Sequence, residues 1–263
     1  MNDNWLERTE LLLGKEKLSQ IRDAHVLVVG LGGVGAYAAE MIARAGVGRM
    51  TVADADTVNP TNINRQLVAL HSTVGRQKAE VLAERLRDIN PAIELTVVNR
   101  YIKDEETYTL LDAARYDYVV DAIDTLSPKL ALIAASLERG YPLVSSMGAG
   151  AKTDPTKLEI ADISKTHHCP LAHMLRKRLH KIGIRSGFRA RLLARTDARG
   201  GDDPLRGAEQ EVERRDDLLH PAAVRHRLRL GGDPGADRRT RLTAAARQRR
   251  SAAMRSMKRM PSR

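Results

Sequence analysis

A glycine-rich turn within residues 26–56 constrains the fold of this chain more than any other feature. The apolar run VLVV at residues 26–29 leads into the glycine motif, which comprises Gly30, Gly32, Gly33 and Gly35. An alanine-rich helical pattern follows, and then a second apolar run that ends at Asp54. Glycines at the start of a helix let backbone N–H groups approach phosphate oxygens, and a carboxylate about 20 residues later can bind a ribose hydroxyl. The stretch therefore predicts a Rossmann-like half that binds a nucleotide, most often a nicotinamide or flavin dinucleotide.

Apolar and amphipathic patterns alternate through the rest of the first 188 residues. Further strands are predicted at residues 95–98, 116–120, 142–146 and 158–161. Helical patterns cover residues 4–20, 75–89, 104–113, 127–139 and 171–182. Because strands that alternate with helices at this spacing form parallel sheets, we expect an α/β fold with a doubly wound, mostly parallel sheet and helices on both faces. In such a sheet, ligands bind at the carboxyl ends of the strands.

Polar residues that could bind or react lie at the predicted strand ends and on the adjoining loops. They are Asp54, Asp56, Asn62, Arg65, Gln66, Lys78, Asp121 and Asp124. Each residue, taken singly, is better explained as a surface salt bridge or a helix cap, but together they converge on one crevice. A dinucleotide dehydrogenase needs no arginine and lysine pair, whereas breaking a triphosphate develops negative charge that fixed cations stabilise. An aspartate in the crevice can hold the Mg²⁺ ion that bridges the phosphates.

Length and cysteine content narrow the class of protein. The 263 residues suffice for one large or two small domains. The sequence contains no run of 18 apolar residues, which is the length needed to cross a membrane. The N-terminal segment contains acidic residues and lacks a signal-peptide pattern, so we expect a cytoplasmic protein. The single cysteine, Cys169, excludes an internal disulfide and a multi-cysteine zinc site. Beside two histidines, Cys169 could be a nucleophile or a metal ligand, but a residue at the entry to a helix is the simpler interpretation.

The net charge of +11 resides in the C-terminal part of the chain. Residues 1–188 hold 24 Lys and Arg against 23 Asp and Glu, whereas residues 189–263 hold 20 against 10. The C-terminal part has 19 Arg, one Lys, no Ile and no aromatic residue. We therefore predict a domain at 1–188 and an aberrant, disordered Arg-rich tail at 189–263 that arises from a frameshift. A basic RNA-binding extension and a disordered linker are the competing interpretations.

Five motifs, in this order, resemble the signatures of the ubiquitin-activating-type (ThiF/MoeB-like) adenylating superfamily. They are GLGGVG (30–35), DAD (54–56), TNINRQ (61–66), VGRQK (74–78) and DAID (121–124). The resemblance implies that ATP and Mg²⁺ are used and that a carboxylate attacks the α-phosphate, which gives an acyl adenylate. It further implies that Asp54 binds the ribose, that Asn62, Arg65 and Lys78 hold the phosphates, that Asp56 and Gln66 support them, and that Asp124 positions the metal. Arg65 is often supplied by the other subunit in this superfamily, which implies a homodimer.

Residues 145–172 resemble one branch of that superfamily, the tRNA threonylcarbamoyladenosine dehydratases. The matching stretches are SSMGAG (145–150), DPT (154–156), ADISKT (161–166) and PLA (170–172). The resemblance implies an ATP-dependent cyclisation of the threonylcarbamoyl group on adenosine 37 of tRNA, with a sulfur-relay protein as a further candidate partner. Activation of a sulfur-carrier protein and NAD-dependent oxidoreduction are the alternative functions, and a nucleotide-binding module without catalysis is a third. The basic helical pattern at 171–182 is either a solvated helix or an RNA-facing surface.

Overall fold

The computed structural model describes residues 4–149 and 158–193, and it forms a seven-stranded sheet in this part of the chain. The strands are β1 (His25–Val29), β2 (Arg49–Ala53), β3 (Glu94–Val98), β4 (Tyr118–Asp121), β5 (Leu143–Ser146), β6 (Leu158–Asp162) and β7 (Arg189–Leu193). Their order in the sheet is β3-β2-β1-β4-β5-β7-β6. All neighbours pair in parallel except β6 and β7, which are antiparallel. The predicted α/β fold with a mostly parallel, doubly wound sheet is confirmed.

Seven α-helices accompany these strands in the described ranges. They are α1 (Glu7–Leu13), α2 (Lys15–Asp23), α3 (Gly35–Arg44), α4 (Lys78–Ile89), α5 (Glu105–Asp112), α6 (Leu126–Glu138) and α7 (Pro170–Lys181). Short 3₁₀ turns lie at Asn4–Leu6, Pro60–Asn62, His71–Thr73 and Ile163–Lys165. No helix among the described residues is long and apolar enough to cross a membrane.

Helices cover both faces of the sheet, and this produces two apolar cores. On one face, Val28 of β1 is buried with residues of α3 and α4, for example Ala39 and Leu82. On the other face, Leu27 is buried in a cluster that includes Leu132 of α6. All five residues of β1 are buried, as expected for a central parallel strand covered on both sides.

Two predicted boundaries differ from the structure because of glycine conformation. The single helix predicted at 4–20 is two helices, since Gly14 has φ of 85° and separates α1 from α2. The helix predicted from Gly75 begins at Lys78, because Gly75 also has a left-handed φ of 85°. A left-handed residue cannot continue an α-helix, and glycine adopts this conformation at little cost.

The predicted domain boundary at Phe188 lies inside the folded part. Strand β7 begins at Arg189 and inserts between β5 and β6, and Phe188 itself is buried in the core. The sheet therefore extends at least five residues beyond the predicted end of the domain, because the strand supplies the pairing partner of β5. The predictions that concern residues 194–263, including disorder of the tail, lie outside the described residues.

Candidate functional site

A cleft of about 380 Å³ opens at the carboxyl ends of β1, β2 and β4. Nearly all the polar residues predicted for the site line it. They are Asp54, Asp56, Asn62, Arg65, Gln66, Lys78 and Asp124, together with Gly30 and Gly32. The cleft has a size typical of small-molecule sites, and its position is the one expected for ligands of a doubly wound sheet. The predicted convergence of these residues is therefore present in the folded chain.

The glycine motif joins β1 to α3 in a turn that tolerates few side chains. A Cβ on Gly30 would lie 2.7 Å from the carbonyl oxygen of Ala122, and one on Gly35 would lie 1.8 Å from the carbonyl oxygen of Gly30. Gly32 faces the cleft, whereas Gly33 and Gly35 do not line it. Gly35 thus allows the first turn of α3 to pack closely on the strand end, Gly30 allows the backbone after β4 to approach, and Gly32 leaves the backbone open toward a ligand.

Asp54 follows β2 and is held by two backbone donors. Its carboxylate accepts hydrogen bonds from the N–H of Leu31 at 2.6 Å and from the N–H of Asp56 at 2.8 Å. Burial raises the pKa of the Asp54 carboxyl group above its ordinary value, against the opposing effect of these hydrogen bonds and of Lys78. The side chain is therefore fixed at the bottom of the turn, where it can accept hydrogen bonds from a polyol such as ribose.

Lys78 is the first residue of α4 and points its ammonium group into the cleft. Its Nζ lies 2.8 Å from Oδ2 of Asp56, and its backbone N–H donates to the carbonyl oxygen of Asp56 at 3.0 Å. The side chain of Lys78 is 6% exposed and that of Asp56 is 69% exposed. The protein thus holds a nearly buried cation in place with a solvated carboxylate, which an anionic ligand can replace or supplement.

The segment that follows Asp56 carries the other predicted polar ligands on a tight turn. The Asn59 carboxamide oxygen accepts from the Thr61 N–H at 2.9 Å, and the Asn62 carboxamide oxygen accepts from the Asn59 N–H at 3.1 Å. Arg65 is exposed and donates to the Thr61 carbonyl oxygen at 2.9 Å. Gln66 is buried, and its carboxamide oxygen has no hydrogen-bond partner among the described residues. An unpaired buried polar atom on the wall of a cleft is consistent with a ligand that donates a hydrogen bond there.

The loop after β4 brings Asp124 to the cleft from a buried polar cluster. Asp121 and Lys129 have no exposed side-chain surface, and Nζ of Lys129 lies 2.9 Å from Oδ2 of Asp121. Ser145 donates to the same carboxylate at 2.6 Å. Lys129 also donates to the Ile123 carbonyl oxygen at 2.7 Å, and Asp121 accepts from the Ile123 N–H at 3.1 Å. The pair therefore fixes the backbone one residue before Asp124, which is exposed in the cleft.

Sequence reasoning missed one wall of the cleft and also missed the buried Lys129. Arg100, Tyr101 and Ile102 line the cleft and follow β3, the strand beside β2. Their position after a predicted strand was a signal that could have identified them. Lys129 had no such signal, because a lysine in a helical pattern is ordinarily solvent-exposed.

The described residues contain no group of three or more His, Cys, Asp and Glu side chains that could hold a metal by themselves. A lone carboxylate such as Asp124 suits Mg²⁺ bound largely through ligand phosphates and water. Cys169 is buried and occupies the N-cap position of α7, directly before Pro170. Its environment is apolar core, as expected for a residue at the entry to a helix.

Comparison with known proteins places the chain among adenylating enzymes. The profile of the ThiF family matches residues 6–198. The chain is 49% identical over 180 residues to the tRNA threonylcarbamoyladenosine dehydratase of Bacillus subtilis, covering 68% of this chain and 70% of that protein. It is 46% identical over 182 residues to the Escherichia coli protein of the same name, covering 68% of each.

A solved structure of an E. coli dehydratase shares this architecture. The crystal structure of E. coli tRNA N6-threonylcarbamoyladenosine dehydratase in complex with ATP matches with a TM-score of 0.70 and 36% identity. The match covers 83% of this chain and 99% of that one. Because the sheet, the glycine turn and the profile match agree over the same residues, this chain belongs to the ThiF family.

Proposed function

We propose that this chain is an ATP-dependent tRNA threonylcarbamoyladenosine dehydratase that cyclises the threonylcarbamoyl group on adenosine 37. The observation that carries the proposal is the cleft, which brings the nearly buried Lys78 together with the exposed Arg65 and Asp124, beside Asp54, the proposed ribose ligand. The similarity at 49% identity to a protein of that name extends over 180 residues of the chain. ATP also occupies a solved structure with the same fold.

In the proposed reaction, a carboxylate oxygen of the threonylcarbamoyl group attacks the α-phosphorus of ATP. The bond from that phosphorus to the bridging oxygen breaks, pyrophosphate leaves, and an acyl adenylate forms. A nucleophile within the same threonylcarbamoyl group then attacks the acyl carbon and AMP leaves, so the tRNA loses the elements of one water molecule. The protein supplies position and charge for these steps rather than a covalent group.

We assign each cleft residue a role that its position in the cleft supports. Asp54 holds the ribose hydroxyls and the N–H groups near Gly32 face the phosphates. Lys78 stabilises charge that develops on the phosphates, because its cation is nearly buried and therefore weakly screened. Asn62 and Gln66 donate or accept hydrogen bonds at the wall, and Asp56 orients Lys78.

Mg²⁺ bound by Asp124 and the phosphates would neutralise charge on the oxygens of the leaving pyrophosphate. We also propose that the chain forms a homodimer in which Arg65 of one copy reaches the phosphates bound by the other copy. The guanidinium group is exposed and is hydrogen-bonded within its own turn, so it is accessible to a second copy. The proposal also includes a cytoplasmic location, which the N-terminal sequence supports, and a sulfur-relay partner, which the family resemblance supports.

Two other functions are less well supported. A dehydrogenase would use the glycine turn and Asp54 but would have no use for the pair formed by Arg65 and Lys78. An enzyme that activates sulfur-carrier proteins usually adds paired cysteine ligands for zinc, and Cys169 is the single cysteine of the chain.

The test is an assay with threonylcarbamoyl-modified tRNA and ATP, in which mass spectrometry follows the nucleoside. We expect a nucleoside that is lighter by one water. One pyrophosphate should be released from ATP for each nucleoside converted. Lys78→Ala should abolish turnover and weaken ATP binding, whereas Lys17→Ala, an exposed lysine on α2, should change neither. Tighter binding of NAD than of ATP, unchanged in Lys78→Ala, would refute the adenylation chemistry.

We also propose that the tail beyond the described residues arises from a frameshift and impairs this chain. The support is compositional, since residues 194–263 contain 17 Arg, one Lys and no aromatic residue. A variant whose reading frame is restored after residue 193 should therefore turn over modified tRNA faster than the chain that carries the Arg-rich tail. Resequencing the gene from codon 188 through the codons that follow 193 is the direct check.

A further inference from the structure

The charge of the folded part is segregated along the chain. Residues 1–162 hold 18 Lys and Arg against 23 Asp and Glu, whereas residues 163–193 hold eight Lys and Arg and no acidic residue. Four histidines also fall in the second segment. The adenylation cleft does not use this segment, because none of its residues lines the cleft. A run of this composition therefore needs its own explanation.

Helix α7 presents these basic residues on one face. Ala172, Leu175 and Leu179 are buried and pack in the core, which fixes the rotation of the helix. The opposite face exposes His173, Lys177, His180 and Lys181, which recur at intervals of three and four residues. Arg185, in the loop after α7, extends the exposed basic face by one more side chain.

Three basic side chains of α7 and the following loop, including the half-buried Arg178 at the border of the exposed face, lack an acidic partner within the part of the chain that the structure describes. Among the described residues, no acidic side chain forms an ion pair with Lys177, Arg178 or Arg185. By contrast, Arg176 is directed inward and donates to Thr166, so it braces the segment before α7. Within the described residues, Lys177, Arg178 and Arg185 therefore have no ion pair that would explain their placement.

The basic helix and the loop after it span the sheet from the amino edge, where Arg185 precedes β7, to the carboxyl edge, where α7 begins. Helix α7 packs against α6, whose first turn lines the cleft at Pro128. The start of α7 lies at the carboxyl edge, since a Cβ on Gly148, just after β5, would lie 3.8 Å from Cβ of Leu171. A large anionic substrate that enters the cleft can therefore extend along α7.

We propose that the exposed face of α7 and the loop that follows it, with Lys177, Arg178 and Arg185, bind the sugar-phosphate backbone of the tRNA whose modified base enters the cleft. This inference rests on the proposed function for the identity of the RNA. Lysine and arginine on a helix face without acidic neighbours neutralise phosphates and release counterions, so the contact supplies affinity without reading sequence. The residues hold the substrate and take no part in the chemistry.

Lysine footprinting on the full chain tests the location. Acetylation by an N-hydroxysuccinimide ester is followed by mass spectrometry, with and without unmodified tRNA. We expect Lys177 to be acetylated several-fold more slowly when tRNA is bound, while Lys15 and Lys17 on α2 keep their rates. If bound tRNA leaves the rate at Lys177 unchanged, the proposal is overturned, whichever other part of the chain holds the RNA.

A charge variant tests the energetics. The triple variant Lys177→Gln, Arg178→Gln, Arg185→Gln is compared with Lys15→Gln, Lys17→Gln. Loss of three phosphate contacts should make the slope of log affinity against log salt shallower by about 2–3, with weaker tRNA binding and unchanged ATP binding. An unchanged slope overturns the proposal. Protection of Lys177 without any dehydrated product would instead support the RNA surface and refute only the proposed reaction.

Discussion

Replacing Lys129 with methionine is expected to destabilise the protein strongly, because it leaves the Asp121 carboxylate buried without its cation. Both side chains have no exposed surface, and their charged atoms are 2.9 Å apart. Breaking a buried pair by removing one partner costs about 3–5 kcal/mol. Since a domain of this kind is stable by about 5–15 kcal/mol, the variant should lose a large fraction of its stability.

A double-mutant cycle separates the electrostatic cost from lost packing. Asp121→Asn removes the charge and keeps the shape of the side chain, so Lys129→Met combined with Asp121→Asn has no buried charge. The double variant should therefore be more stable than Lys129→Met alone, with a coupling of about 1–3 kcal/mol. Urea unfolding followed by circular dichroism measures each variant.

An exposed ion pair provides the matched control. Arg76 and Glu84 form a salt bridge whose side chains are 45% and 60% exposed, so Arg76→Met should cost no more than about 1 kcal/mol. Loss of Lys129 should also weaken ATP binding, because the backbone of Ile123, beside Asp124, would lose one of its two hydrogen bonds to the buried pair. The reasoning is refuted if Lys129→Met costs no more than Arg76→Met, or if the cycle is additive.

Four further predictions concern the site, pH and the tail. Burial and, to a smaller extent, Arg49 lower the pKa of His25, so below about pH 6.5 the unfolded state binds a proton that the folded state does not bind. Stability measured by urea unfolding should therefore fall as the pH drops through that value. The His25→Gln variant should show a flatter dependence of stability on pH, and an unchanged dependence would assign the effect to another group. Burial raises the pKa of Asp54, so ATP affinity should begin to fall with decreasing pH at a higher pH than for an ordinary aspartate. If the affinity of Asp54→Asn for ATP showed the same pH dependence, another group would be responsible. Tyr101 is 59% exposed at the cleft, so Tyr101→Ala should weaken ATP binding by about 1–3 kcal/mol if its ring stacks on the base, and calorimetry that shows no change would exclude stacking. Brief trypsin treatment should remove residues 194–263 and leave a resistant core that ends after β7, whereas survival of those residues would show a folded tail.

The sequence predicted those parts of the site that depend on local pattern and on general rules of topology. The glycine turn, the strands that it joins and the position of Asp54 follow from spacing along a single βαβ unit. Lys78 and Asp124 could be assigned to the same cleft, because the carboxyl ends of neighbouring parallel strands meet at one edge. Short connections join the strands and helices that carry these residues, so their spacing in the sequence predicts their position at the edge of the sheet.

Contacts between distant segments required the tertiary structure. The insertion of β7 between β5 and β6 depends on pairing across a long separation, and the change in composition at Phe188 concealed it. The burial of Lys129 depends on Asp121 of β4, whose carboxylate also accepts a hydrogen bond from Ser145 of the neighbouring strand β5. Local pattern therefore fixed which strand ends carry polar ligands, whereas packing alone decided which charges are removed from water, because burial is a property of all the segments that surround a side chain.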